Sequence, residues 1–136
     1  MEDLHAEGFV IHDGCVFTVL PSTVVLEGTV ACLDGIALEV RKEIRVLRGS
    51  GLAAEVQTEL FKYHAWVRGR YNIFRYDSAH RHRPFPHKHV FDTFGFGGET
   101  AVIELRGEDA IPTMAEVIRE LRVWHEQHAA NLHLLR

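Results

Sequence analysis

The chain has 136 residues, a formal net charge of −4 and a pI near 6.2, which exclude a general polyanion binder; nucleic-acid contact would need a local basic patch, and residues 62–88 supply one. A hydrophobic fraction of 46% and a charged fraction of 25% predict an ordinary globular chain, read as one domain over residues 1–136. Two cysteines, Cys15 and Cys32, without metal spacing exclude a disulfide scaffold and a cysteine zinc site, and they fit a reducing compartment.

Met1-Glu2-Asp3-Leu4-His5 is acidic with no apolar run behind it, and no stretch approaches the ~18–20 apolar residues of a membrane span. The expectation is a cytoplasmic protein with no membrane contact. From Phe9 to Leu20, two β-rich runs flank Asp13-Gly14, a hairpin signal. A second hairpin is predicted from Val24 to about Leu47, turning at Asp34-Gly35. On a two-residue loop Ala31 faces Leu38 and Glu27 faces Lys42, while Glu39, Arg41, Glu43 and Arg45 line a wet side.

A third hairpin is predicted from about Val56 to Ser78, turning near Arg68-Gly69. On a two-residue loop Tyr63 pairs with Phe74 and Phe61 with Tyr76. Lys62 then meets Arg75, a like-charge pair that calls for a carboxylate or an anion above it. Thr100 to Leu105 reads as a short strand. Residues 113–130 read as a helix opened by a Thr113…Glu116 capping box, with Met114, Val117, Ile118, Leu121 and Trp124 on its packing face. Glu116, Arg119, Glu120 and Arg122 take the solvent side. The predicted fold class is α+β: an antiparallel sheet of about six or seven strands built from hairpins and packed by one C-terminal helix.

The stretch Arg75 to Asp92 carries four of the ten histidines as two His-x-His pairs, His80/His82 and His87/His89, around Pro84-Phe85-Pro86. Arg81, Arg83 and Lys88 fill the gaps. A loop that only connects would be richer in Gly, Ser and Asn. This one gathers proton-transfer groups and cations.

The aromatic hairpin (Tyr63, Trp66), then Arg75-Tyr76-Asp77, then a histidine-rich run closing on His87-Lys88-His89 with Asp92 and a C-terminal helix, resembles the TumE family of bacterial and archaeal toxins. The resemblance is strongest over about residues 60–125. The family pattern commonly reads Arg-Tyr-Asp-Asn and closes on His-His-Lys-His; here Ser78 replaces the Asn and Pro86 precedes His87. The resemblance implies the toxin of a two-gene module, partnered by a cognate antitoxin and plausibly acting on RNA.

The residues allow three chemistries. Metal-independent RNA cleavage needs an acid, a base and cations for the phosphorane. His80, His82, His87 and His89 are the candidates for acid and base, with Asp77 orienting a tautomer. Arg75, Lys88 and Lys62 would bind phosphate, and Tyr63, Trp66 or Phe85 would stack a base. No cofactor is needed on this reading. The alternative is a divalent metal (zinc, iron or manganese) held by His80, His82, His87, His89 and Asp77 or Asp92, similar to a cupin site but without its carboxylate and glycine spacing. The third is a toxin that acts by binding alone. Asp77 and Asp92 also have plain uses as turn caps, His125 and His128 as partly buried residues. The strand edge near residues 9–20 is a candidate surface for a homodimer.

Overall fold

The computed structural model describes residues 8–48, 55–69, 71–80, 83–107 and 110–135. They form an antiparallel sheet of eight strands: β1 (Val10–Asp13), β2 (Val16–Val19), β3 (Thr23–Cys32), β4 (Ile36–Arg48), β5 (Glu55–Val67), β6 (Tyr71–Asp77), β7 (His87–Phe91) and β8 (Glu99–Glu104). One helix, α1 (Met114–His128), follows and ends in a 3₁₀ segment over Ala129–Leu134. The sheet order is β1-β3-β4-β5-β6-β7-β8, with β2 also pairing β3. The α+β class read from the sequence is the observed one. Among the described residues no helix is long and apolar enough to cross a membrane.

The three hairpins read from the sequence fare differently. Residues 10–19 do not fold back at Asp13-Gly14: β1 and β2 both pair with β3, making one interrupted edge. The Asp13 carboxylate accepts from the Cys15 N–H at 2.9 Å, and the Gly14 N–H donates to the Thr29 carbonyl at 3.0 Å. The Asp-Gly pair therefore bends the strand instead of reversing it. Opposite the bend lies Gly28 at φ 149°, where an added Cβ would overlap the Gly14 carbonyl and come within 2.7 Å of Cys15 Cα. Gly28→Ala is expected to destabilise the protein by roughly 1–3 kcal/mol. Urea unfolding checks this, and an unchanged midpoint would refute it.

The β3–β4 hairpin turns where predicted, but its loop has three residues, Leu33-Asp34-Gly35, with Asp34 at φ 55°. Pairing moves by one residue: Val30 meets Leu38 and Glu27 meets Arg41, with which it forms an ion pair. Because a one-residue shift exchanges the faces of a strand, Val30 and Cys32 turn inward instead of Ala31.

In β5, alternation places Phe61, Tyr63, Ala65 and Val67 in the core, facing the apolar side of α1 (Val117, Ile118, Leu121). Thr113 caps that helix in the predicted box: its hydroxyl accepts from the Glu116 N–H at 3.2 Å, and Glu116 accepts from the Thr113 N–H at 3.0 Å. Glu120, expected on the solvent side, lies on the seam. It accepts a 2.6 Å hydrogen bond from the Tyr76 hydroxyl and an ion pair from Lys88. Cys15 and Cys32 are free thiols, pushed up to about 11 and about 12 by burial, with Asp13 adding to the effect at Cys15.

Candidate functional site on the open face of the sheet

The β5–β6 register departs from the two-residue-loop expectation by two residues: Val67 already meets Tyr71, one residue on, and a bulge between Ala65 and Trp66 adds the second. Tyr63 meets Tyr76, His64 meets Arg75, and Lys62 meets Asp77 in place of Arg75. The predicted like-charge pair is thus replaced by an opposite-charge one, and Lys62 has a second carboxylate, Glu39, at 3.5 Å.

Directly opposed residues share a face. The face away from α1 therefore carries a row Arg41, Lys62, Asp77, His87, Glu104 across β4 to β8, and beside it Glu39, His64, Arg75, His89, Val102. Asp77, His87 and His89 converge: one ligand atom from each lies within 4.8 Å of the others. Asp77 Oδ2 is 3.3 Å from His89 Nε2 and 3.8 Å from His87 Nε2, and it accepts from Arg75 Nε at 2.7 Å.

The outer ring nitrogens are held as well. His87 Nδ1 lies 3.0 Å from the Phe85 carbonyl, which can only accept, so this nitrogen carries the proton. His89 Nδ1 bonds the Glu99 carboxylate. His87 is fully enclosed, and among the described residues its Nε2 has no hydrogen-bond partner. The exposed His80 ring stacks edge-on to His87 at 5.1 Å between centroids. A cleft of about 490 Å³ opens beside this group, lined by Arg41, Lys62, Arg75, Asp77 and His80 among others.

The remaining sequence candidates fall elsewhere. Lys88 alternates to the opposite face, where it lies over the Phe74 and Tyr76 rings and pairs with Glu120. Tyr63 is a core residue with its hydroxyl inside, pushed up to about 12 by burial. Trp66 is on the open face but in a neighbouring hollow with Glu27, Gly28, Thr29, Glu39, Val40 and Arg41. Asp92 caps the turn after β7, accepting from the Gly95 and Phe96 N–H groups at 3.1 and 3.2 Å. The group that converges among the described residues does not include it. His82 lies outside the described residues.

Glu99, Arg41 and His64 were not singled out from the sequence. Glu99 is ten residues from His89, and only the β7–β8 pairing reveals their contact. His64 donates to Asn72 Oδ1 at 2.6 Å. Burial leads in lowering its pKa from 6.5, and Lys62 and Arg75 add to that against the opposing pull of Asn72 and Glu39. The folded chain thus binds a proton at His64 less readily than the unfolded chain. That contribution to stability is complete above pH 6.5 and is lost on acidification toward the lowered value. His64→Gln should flatten the fall in Tm on acidification below pH 6.5, and parallel curves for the two proteins would refute this.

The family model described as Toxin TumE matches residues 2–128. The chain belongs to the TumE family of toxins. The matched range spans both the Arg75-Tyr76-Asp77 segment and the closing His87-Lys88-His89, which the fold brings side by side. A TumE toxin implies an antitoxin as partner. No curated protein and no solved structure matches the chain.

Proposed function

We propose that this TumE toxin acts on RNA, cleaving the strand at a 2′-hydroxyl by histidine acid–base chemistry that needs no metal ion. The observation that carries the reading is the open-face cleft, in which three cations (Arg41, Lys62, Arg75) lead to His80 and to Asp77, which His89 faces. Each cation is tied to a carboxylate: Arg41 to Glu27, Lys62 to Glu39, Arg75 to Asp77. The Arg41 and Lys62 pairs are partly exposed, and such pairs are worth only about 0–1 kcal/mol, so a phosphate can take the carboxylate's place.

On this reading His80 and His89 are the proton-transfer pair, because His87 is shut in behind them. Asp77 and Glu99 hold the His89 ring, and Trp66, one hollow away past Arg41, stacks a base. Attack by the 2′-hydroxyl displaces the 5′-oxygen, leaving a cyclic phosphate on one fragment and a 5′-hydroxyl on the other. The test is incubation of purified protein with single-stranded RNA, with and without EDTA. Cleavage to cyclic-phosphate ends that survives EDTA supports the proposal. No cleavage alongside retained growth inhibition would point to a toxin that acts by binding or on another target.

A further inference from the structure

We infer that Asp77, His87 and His89 bind one divalent transition-metal ion, zinc by their donor set, and that the ion silences the histidine chemistry proposed above. Only the silencing rests on that proposal; the binding does not. Zinc held by four ligands at about 2.0–2.1 Å keeps neighbouring ligand atoms about 3.3 Å apart. The Asp77 Oδ2 to His89 Nε2 distance is 3.3 Å, that to His87 Nε2 is 3.8 Å, and one ligand atom from each residue lies within 4.8 Å of the others, so the group has to draw in around an ion.

Both imidazoles are already oriented as metal ligands are, with the far nitrogen engaged by a carbonyl or carboxylate: Phe85 behind His87, Glu99 behind His89. With Nδ1 carrying the proton, neutral His87 aims the lone pair of a buried, unpartnered Nε2 at a carboxylate. His89, bonded to Glu99 through Nδ1, aims its Nε2 at the same carboxylate. Three electron-rich atoms thus face one point. A divalent cation at that point satisfies all three at once. Arg75 binds the same Asp77 oxygen and remains as its outer partner. Two imidazoles and one carboxylate suit zinc better than magnesium or calcium, which prefer all-oxygen shells. A bound ion occupies the Nε2 lone pair that His89 needs for proton transfer, so the loaded protein cannot use it as acid or base.

The test is calorimetric titration of EDTA-treated, desalted protein with zinc chloride, together with Tm at increasing zinc. Wild type should take up one ion per chain and gain Tm with zinc concentration. His87→Ala and Asp77→Asn should abolish that uptake; Asp77→Asn keeps the buried His87 in place and so guards against a folding artefact. Glu99→Gln should weaken binding by about 10–100-fold, and His125→Gln, on the helix, should not change it. No saturable binding by wild type, or equal binding by Asp77→Asn and His87→Ala, overturns the site. In the RNA assay, equimolar zinc should stop cleavage and EDTA should restore it; cleavage that zinc leaves unchanged or accelerates overturns the silencing. A protein that binds one zinc but cuts no RNA keeps this site and loses the nuclease reading. One that cuts RNA but binds no zinc does the reverse.

Discussion

His89→Ala is expected to slow RNA cleavage by roughly 10²–10⁴-fold, the usual cost of losing a positioned acid or base. The expectation comes from strand geometry. β7 places His89 on the face away from α1, between Arg75 and Val102, where it is largely buried but faces Asp77, which lines the cleft. Both ring nitrogens lie against carboxylates, Asp77 at 3.3 Å and Glu99, so its orientation is fixed before any substrate arrives. Deleting the ring leaves those two acids facing one another across a gap. Some stability is lost too, so rates are to be compared at a temperature where both proteins are shown folded by circular dichroism. The same substitution should abolish growth inhibition in cells. A fall in rate of less than about tenfold would remove His89 from the proton-transfer pair.

Leu121→Ala is expected to cost about 2–5 kcal/mol, the range for a large aliphatic side chain removed from a closed core. Leu121 is fully buried, with Val117 and Ile118 beside it on the face of α1 that covers the sheet. Against a total stability of about 5–15 kcal/mol, this single change consumes a large share. Urea unfolding measures it, with Val123→Ala as the comparison because Val123 is 45% exposed on the same helix. That control should stay within about 0.5 kcal/mol of wild type. Equal effects at the two positions would mean that α1 is not packed as described.

The sequence revealed most where period and chemistry agree. The α1 face, the Thr113 cap and the wet side of β4 follow from spacing, and all three are present. Two of the three turn positions were legible too, but registers were not. Loop length at Leu33-Asp34-Gly35 and the bulge between Ala65 and Trp66 each move every downstream partner, and neither leaves a mark in composition. Asp13-Gly14 misled because the same dipeptide serves a bend once a long β3 can pair with both of its arms. At the site, alternation in an extended His-x-His segment puts His87 and His89 on one side, which is where both rings lie. That alternation also excludes Lys88 from the same side, and it sends Tyr63 into the core. Glu99 was invisible because its meeting with His89 depends on β7–β8 pairing.

The alternation of β7 has an evolutionary corollary. Within five residues it ties Lys88 to Glu120 on the helix and offers two imidazoles to the other side. Relatives can vary the length of the connection between His80 and Phe85, provided that both of those ends hold and β7 docks in phase. A slip of one position would hand a lysine to the working surface and drive both rings into oil, so natural variation should tolerate gaps between residues 80 and 85 and none between 87 and 91.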